Sequence, residues 1–569
     1  MSPYRARKDR PQPRDEARPG LVSEMVRQFA DPYAFLRELV QNSMDAGTTK
    51  VEVDVIREAD GDTRTRVSDS GSGMTPAIIE SALLTLFSSS KEGDPTKIGK
   101  YGVGFVSVLA IEPEQVIVDT WRDGAAWRAT IQRDHSYVVE EIPERPLSGT
   151  SVTLTHSMGS SAFDSHVAQV RTSLLRWCRH AHVPIWLSVT DYANPQGSFR
   201  VQLDVPLQVH AAVSVSDVEG EDSIVLGPGV GAQHLAAAPQ ALPQELTTSF
   251  VGFYNRGLTL YESSSEELPG LRGLRVKISS RTLKHTLSRD NVRREQAFED
   301  LLERARQLAR RGLPRAIEDG LRAEATAVAG GGDARVYLAL LAAADSDVTR
   351  LGAKRTWFPL AQALGDQPAA TFADIAERTP WREPVLSVAE PDALSAAFAA
   401  AGRPVVLCPH ADVVRRLAAL HSGSGSRVEP AYERHLLVSE LGDAEQSASD
   451  RALLAEVSRV VRVAGVAIER VALARAYGAQ PPGLVLAREP VDGIVSLGDA
   501  ARASTRWGRG AVLLVDSRAE PVQVARGRAT RALRASSQLL ARLLLLERRG
   551  PLSARVNDAL WADFAGGGP

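Results

Sequence analysis

Cysteine, aromatic residues and an excess of one charge are all scarce in this sequence. Its 569 residues include two cysteines, which cannot build a disulfide framework and indicate a reducing compartment. The 67 Lys and Arg residues nearly balance the 69 Asp and Glu residues. The net charge of −2 excludes a dominantly basic nucleic-acid coat and a strongly acidic disordered chain. No stretch approaches about 18 uninterrupted apolar residues, so we expect a cytoplasmic protein that does not span a membrane.

The length and the changes in composition indicate several domains of the α+β class. At roughly 150 residues per domain, three or four domains are expected. The first 20 residues contain four prolines and mixed charge but no apolar h-region, so we expect a disordered arm and no secretory signal. The predicted divisions are this arm at 1–20, an α+β domain at 21–205, a linker or irregular segment at 206–245, an α/β domain at 246–425, and a mixed, mainly helical domain at 426–569.

The first of three polar motifs lies on a predicted helix over residues 33–46, which ends at Gly47. Glu38, Asn42 and Asp45 are spaced i, i+4 and i+7, so their side chains share one helical face. A carboxylate and a carboxamide one turn apart suit two roles, Asn42 as a magnesium ligand and Glu38 as a base for water. A solvated helix face gives the same pattern and, for this motif alone, is the more common explanation.

The second motif follows a pair of predicted strands, over residues 50–56 and 64–69. Its sequence is Asp69-Ser-Gly71-Ser-Gly73-Met74. Two glycines allow the backbone to turn sharply beside a flat ligand, and Asp69 can accept a hydrogen bond from an exocyclic amine. Met74 offers a polarizable contact for an aromatic base. A simple glycine-rich turn explains the same residues, so this motif alone is weak.

The third motif is IGKYGVGF, residues 98–105, which runs into a helical pattern. Glycines where a loop enters a helix expose backbone N–H groups, and the helix N-terminus adds partial positive charge, so a phosphate fits there. A G-x-G sequence is common in turns. A dinucleotide-binding motif is excluded because no G-x-G-x-x-G follows a strand in a βαβ unit.

Together, the order and spacing of the three motifs resemble the GHKL (Bergerat-fold) ATPases, which include gyrase, MutL, MORC, sensor kinases and the ninety-kilodalton heat-shock chaperones. The resemblance covers residues 20–200 and implies an ATPase domain in which a mixed sheet carries helices on one face. It implies ATP and Mg²⁺ as ligands and residues 75–98 as a mobile lid. The implied roles are Glu38 as general base, Asn42 as Mg²⁺ ligand and Asp69 as adenine reader; Gly71, Gly73, Met74 and Thr150 line the base pocket, Gly102 and Gly104 hold the phosphates, and Asp45, Lys91, Val103 and Phe105 complete the nucleotide-binding set.

The branch of the superfamily is indicated by two further features. Sensor kinases do not have the water-activating Glu38. In the second domain, Ser288-Arg289-Asp290 resembles the Ser-Arg-Glu of the heat-shock chaperones (HtpG in bacteria), whose Arg reaches the γ-phosphate, so Arg289 is implied as a second catalytic residue. This resemblance implies an ATP-dependent chaperone for protein folding under stress, which is a homodimeric clamp on client proteins.

The alternative is a clamp of the MORC or MutL type that acts on DNA or in a defence assembly; nucleic acid is not expected at a net charge of −2.

Some residues depart from the chaperone pattern. Thr48-Thr49 and Ser88 stand where those chaperones usually carry lysines, and Arg293 stands where they have a glutamine.

Two other patterns have structural explanations. Cys178, His180 and His182 do not share a helix face within the helix predicted over 163–182, so we expect a buried cysteine beside surface histidines and no metal site. The leucine-rich helix 533–546 either mediates dimerisation or packs into its own domain, with equal weight.

Overall fold

The computed structural model shows a chain that is divided into two compact units. Unit 1 comprises Met1–His210, Ser214–Gly229 and Ala238–Ala309, and unit 2 comprises Ala211–Val213, Val230–Ala237 and Arg310–Pro569. Mixed sheets and helices in both units confirm the predicted α+β class. The domain boundaries drawn from composition stay predictions. The residues described are 31–83, 104–239, 241–284, 292–347, 349–381, 383–421, 427–477, 485–487, 493–496 and 512–566.

An eight-stranded mixed sheet dominates the first part of unit 1. Its strand order is β5-β4-β3-β6-β2-β1-β7-β8, and β1 pairs with β7 in parallel while the other neighbours are antiparallel. Alternate side chains of β1 and β2 are buried and form one core with helices α1 and α2. These elements are α1 (Ala34–Asp45), β1 (Val51–Arg57), β2 (Asp62–Asp69), β3 (Gln115–Arg122), β4 (Ala125–Gln132), β5 (Tyr137–Glu141), β6 (Gly149–Ser157), α2 (Ser160–Cys178), β7 (Ile185–Asp191) and β8 (Phe199–Gln202).

A five-stranded sheet follows in unit 1, in the order β12-β11-β13-β10-β9. Its strands are β9 (Val215–Glu219), β10 (Asp222–Pro228), β11 (Phe250–Asn255), β12 (Leu258–Ser263) and β13 (Leu274–Ser279), and helix α3 (Gln296–Ala329) comes next. Strands β9 and β10 correct the prediction that 206–245 is irregular. Glycine and proline at the end of β10 hid a strand whose register with β13 is regular.

Unit 2 contains two more five-stranded sheets, in the orders β15-β14-β17-β16-β18 and β21-β23-β20-β19-β22. Its strands are β14 (Trp357–Leu364), β15 (Gln367–Thr371), β16 (Val385–Val388), β17 (Val405–Leu407), β18 (Val428–Pro430), β19 (His435–Glu440), β20 (Arg470–Tyr477), β21 (Val485–Ala487), β22 (Gly493–Ser496) and β23 (Val512–Asp516). The helices that follow α3 are α4 (Arg335–Asp345), α5 (Phe372–Glu377), α6 (Ala393–Ala400), α7 (Ala411–His421), α8 (Ala431–Arg434), α9 (Ala448–Val463), α10 (Glu520–Arg549) and α11 (Ala554–Gly566).

The leucines of helix α10 divide into two sets. Leu540, Leu544 and Leu545 are buried in a core shared with α9 and β20. Leu533, Leu539 and Leu546 remain 36%, 44% and 43% exposed, and Leu543 is half-buried. Packing into its own domain therefore accounts for part of the leucine pattern, and only the exposed leucines are available for dimerisation.

Helix α2 ends at Cys178, four residues before the predicted end at residue 182. Cys178 is buried and His182 is exposed, as expected, but His180 is also buried, which corrects the prediction for that histidine. His180 lies 2.8 Å from the Lys277 ammonium group, and burial lowers the pKa of His180 to about 3. Among the described residues, no group of His, Cys, Asp or Glu side chains is suited to hold a metal ion. Within the same part of the chain, no helix is both long and apolar enough to cross a membrane.

Candidate nucleotide site

Helix α1 positions the first motif. Leu36, Leu39 and Val40 pack into the core, and their spacing turns Glu38 toward the protein interior, where 8% of the residue is exposed. Asn42 and Asp45 are exposed at the carboxyl end of the same helix. The predicted polar face therefore exists, but it has a buried carboxylate at one end and solvent at the other.

The Glu38 carboxylate lies against the backbone of Gly104. A Cβ atom built on Gly104 would lie 2.5 Å from Glu38 Oε2, so no larger residue fits without moving the carboxylate. Gly104 begins a short 3₁₀ turn, Phe105–Leu109, and its carbonyl accepts a 2.6 Å hydrogen bond from Ser107 Oγ. The third motif thus meets the first at Glu38 and Gly104. Phe105 is buried in the core beside them.

Asp69 ends strand β2 and accepts three hydrogen bonds. Its Oδ1 accepts from the backbone N–H groups of Gly71 at 2.8 Å and Thr150 at 3.3 Å. Its Oδ2 accepts from Ser43 Oγ at 3.0 Å. Burial raises the pKa of Asp69 above its ordinary value, and these three hydrogen bonds act in the opposite direction. The carboxylate is therefore held in one orientation by groups from α1, β6 and its own loop.

The loop after Asp69 follows a path that requires glycine. Gly73 has a φ of +65°, and a Cβ atom there would lie 2.1 Å from the Trp121 carbonyl oxygen. Gly71 is packed against Ala46, which follows α1. The N–H of Met74 donates a 2.7 Å hydrogen bond to Thr120 Oγ1, and the Met74 side chain packs against the core. The second motif is therefore a rigid floor beside Asp69.

Two residues that anchor this floor were not predicted from the sequence. Ser43 donates to Asp69 from α1, and Thr120 accepts from Met74 while its Oγ1 lies 3.3 Å from Thr150 Oγ1. Ser43 follows Asn42 directly, but on a helix that neighbouring position points away from the Glu38 face. Thr120 lies in the middle of strand β3, where a polar residue has no distinctive spacing.

The remaining predicted site residues fall into two groups. Thr150 lies beside Asp69, as described, and Asp45 forms a 2.7 Å ion pair with Arg256. Lys91, Gly102, Val103, Arg289 and the lid beyond residue 83 lie outside the described residues.

Comparison with known proteins agrees with this arrangement. Residues 33–161 match the family described as "Histidine kinase-, DNA gyrase B-, and HSP90-like ATPase". This part of the chain is therefore an ATPase domain of the GHKL class, and its mixed sheet with helices is the Bergerat-type architecture that was expected. The matched range contains Glu38, Asn42, Asp69, Gly104 and Thr150.

Individual relatives belong to two branches. The chaperone protein HtpG of Anaplasma phagocytophilum is 32% identical over 160 residues, covering 23% of this chain and 24% of the relative. The DNA mismatch repair protein MutL of Thermotoga maritima is 33% identical over 138 residues, covering 22% and 26%. MutL of Sphingopyxis alaskensis is 32% identical over 129 residues, covering 22% and 21%. The chain thus spans about a quarter of the length of these curated relatives.

The residues present fit a nucleotide. Asp69 is a half-buried acceptor that can meet an exocyclic amine, and the close approach at Gly73 leaves its loop no room for a side chain. Gly104 leaves a backbone without a Cβ atom next to the carboxylate of Glu38. Asn42 offers the oxygen that Mg²⁺ prefers, one helical turn from Glu38.

Proposed function

We propose that this protein hydrolyses ATP in a homodimeric clamp cycle that acts on client proteins, as a chaperone of the HtpG type. The observation that carries the ATPase part is the arrangement around α1. This helix places the buried Glu38 carboxylate against Gly104. Its Ser43 also donates a hydrogen bond that orients Asp69.

Each residue has a defined part in hydrolysis. Asp69 accepts a hydrogen bond from the exocyclic amine of adenine. This contact selects adenine over bases that present a hydrogen-bond acceptor at the same position. Glu38 accepts a proton from the attacking water. Because its carboxylate is fixed against Gly104, it also orients that water. Mg²⁺ held by Asn42 would supply positive charge to the phosphate oxygens. Thr120 and Thr150 keep the base pocket in place.

Support for the chaperone branch comes from the match to HtpG and from the Ser-Arg-Asp sequence at 288–290. An arginine at this position would place a planar, charged donor on the γ-phosphate, where charge develops during phosphoryl transfer.

A second candidate is a MutL-like clamp that acts on DNA. Two MutL proteins match a similar share of the chain, 22% against 23%, at a level of identity similar to that of HtpG. The role of Glu38 as general base would be the same in both cases, because Glu38 lies in the matched ATPase domain, whereas a role for Arg289 belongs to the chaperone branch.

The ATPase part is tested by a Glu38→Gln variant of the full chain. Calorimetry should show ATP binding close to that of the natural chain, because Gln keeps the size of the side chain. Phosphate release should fall by about 10²–10⁴, the usual contribution of a general base. Glu141→Gln, an exposed change on β5, is the matched control and should keep full activity. Unchanged phosphate release by Glu38→Gln would contradict the assignment.

The branch is tested by two assays run side by side on the natural chain. A chaperone clamp should suppress aggregation of a heat-denatured model substrate in an ATP-dependent manner, and its ATPase rate should not respond to double-stranded DNA. A MutL-like clamp should show the reverse. Stimulation by DNA together with unchanged aggregation would replace the chaperone proposal with the second candidate.

A further inference from the structure

Unit 1 contains a cavity of about 320 Å³ beside α1, whose lining includes Asp45 at the end of the helix but not Glu38. Helix α1 contributes Arg37, Gln41 and Met44, which are spaced i, i+4 and i+7 and so share a face. The opposite wall comes from the five-stranded sheet, through the hairpin that joins β11 to β12 and the segment after β13. This volume matches a small organic molecule.

The charges that line the cavity are mostly positive. The lining contains four cations, Arg37, Arg256, Arg281 and Lys284, and one carboxylate, Asp45; the carboxylates that pair with Arg281 and Lys284 lie outside the lining. Fields from like charges add in a concave site, so the cavity attracts anions from solution. The same four cations would repel a cationic ligand.

Three of these cations have partners that an incoming anion can replace. Arg256 pairs with Asp45, Arg281 with Glu221, and Lys284 with Glu295 at 3.5 Å. The three carboxylate side chains are each 50–55% exposed. Exposed ion pairs are weak because water screens them, so exchanging them for a bound anion costs little.

Apart from the amides of Gln41 and Asn255, the rest of the lining is apolar. Met44, Leu258, Leu260 and Leu283 form the interior of the cavity. Leu258 belongs to the same core as α1, so this wall is fixed rather than adaptable. A ligand that fits both parts carries a charged group and an apolar body, as small-molecule sites generally combine apolar walls with a few polar groups.

The hairpin tip gives this cavity a connection to helix α1. Arg256 and Gly257 both have positive φ, +49° and +80°, which is the type I′ geometry of a two-residue turn. An arginine rarely adopts this conformation, and here it brings the guanidinium to Asp45, at the end of the helix that carries Glu38.

We propose that this cavity is a binding site for a small organic anion. The carboxylate, phosphate or sulfonate group of the anion forms ion pairs with Arg256, Arg281 and Lys284. Its apolar body packs on Met44 and the three leucines. The bound anion takes Arg256 from Asp45, so the site acts on the helix that positions Glu38. The existence of the site does not depend on ATP hydrolysis.

Cysteine accessibility provides a test in the full chain. Cys178 and Cys408 are buried, and burial raises the pKa of both thiols to about 12, so neither competes for a thiol reagent. Gln41→Cys places a reactive thiol in the cavity. Gln169→Cys, at an exposed position of α2, is the matched control. The anionic reagent 2-sulfonatoethyl methanethiosulfonate and its cationic trimethylammonium analogue are compared at both positions.

The anionic-to-cationic rate ratio at position 41 should exceed that at position 169 by about tenfold or more, because the cationic lining concentrates anions. Arg281→Gln combined with Lys284→Gln should lower the ratio several-fold, and Arg272→Gln, outside the cavity, should leave it unchanged. The amphipathic anion 8-anilinonaphthalene-1-sulfonate should protect position 41 and not position 169. Equal ratios at the two positions, or no protection at position 41, would overturn the proposal.

Discussion

Gly104 and Glu38 are in contact at a point where only a glycine leaves the carboxylate undisturbed. A Cβ atom built on Gly104 would lie 2.5 Å from Glu38 Oε2, although the backbone of Gly104, at φ −64° and ψ −41°, suits any residue. An alanine there would displace the carboxylate without straining the chain.

Gly104→Ala should therefore reduce ATP hydrolysis by about 10²-fold, because a shift of about 1 Å in a catalytic group is sufficient for such a loss. Thermal unfolding should change little. Gly159→Ala is the control, since a Cβ atom there meets nothing within 4 Å. Steady-state phosphate release is measured for both variants. Equal rates in Gly104→Ala and Gly159→Ala would show that Glu38 tolerates displacement.

Asp69→Asn should weaken nucleotide binding by about ten- to a hundredfold, since an amide can present a donor to the adenine amine and so leave polar groups unpaired in the complex. Ser43→Ala removes one of three donors to Asp69, so its loss should be smaller. Calorimetry with ADP measures both. Equal affinity in Asp69→Asn would remove Asp69 from the adenine-reading role.

The same carboxyl group predicts a pH dependence of binding. Burial raises the pKa of Asp69 above its ordinary value of 3.8, and the protonated form no longer offers a full acceptor. ADP affinity should therefore fall as the pH falls through this raised pKa, at a higher pH than for an exposed aspartate. Affinity measured between pH 4 and 8 should lose this step in Asp69→Asn; a step that persists there belongs to another group.

Arg289→Ala should leave ATP binding intact and slow hydrolysis, by about 10³–10⁵ where such an arginine is essential. Arg289 lies outside the described residues, whereas Arg293 is nearly half exposed beside Glu295. Because Arg293 can partly substitute, the double Arg289/Arg293 variant is the decisive protein. If it hydrolyses ATP at the natural rate while Glu38→Ala is inactive, this segment supplies no catalytic arginine.

Dimerisation through helix α10 should depend on its exposed leucines. Leu539 and Leu546 lie seven residues apart and remain 44% and 43% exposed. Replacing both with aspartate should convert a dimer to a monomer in light scattering without unfolding unit 2, whose core uses other leucines. Leu147→Asp, at a 78% exposed position in unit 1, is the control. A dimer that survives the double substitution does not depend on Leu539 and Leu546.

Asp450 and Arg526 form a bidentate pair between helices α9 and α10, at 2.8 and 2.9 Å. The Arg526 guanidinium lowers the pKa of Asp450 from 3.8 to about 2. A lowered carboxyl pKa stabilises the fold above the unfolded pKa, and this contribution is lost as the pH falls toward 2. Asp450→Asn should reduce the free energy of unfolding by about 2 kcal/mol at pH 7, with a shrinking difference below pH 4. Urea unfolding at pH 7 and below pH 4 measures the difference in unfolding free energy between the natural chain and Asp450→Asn.

Local patterns were sufficient where one element carries the signal. The helix with Glu38 was predicted over 33–46 and lies at Ala34–Asp45, because its apolar spacing and the glycine after it act within a few residues. The alternating strands before Asp69 were predicted for the same reason. The β9–β10 hairpin was missed because its Gly and Pro residues resemble a loop, and strand pairing with β13 overrides that local preference.

By itself, the sequence predicted a GHKL ATPase domain over residues 20–200, which the family match over 33–161 supports, and it predicted Glu38, Asn42 and Asp69 as site residues, since motif order is a property of the chain. Only the tertiary structure showed that Ser43 and Thr120 bond to Asp69 and Met74 and that His180 is buried against Lys277. Only the tertiary structure showed the cationic cavity beside α1. These relationships join residues far apart in the chain, and no periodicity records which distant side chains folding brings together.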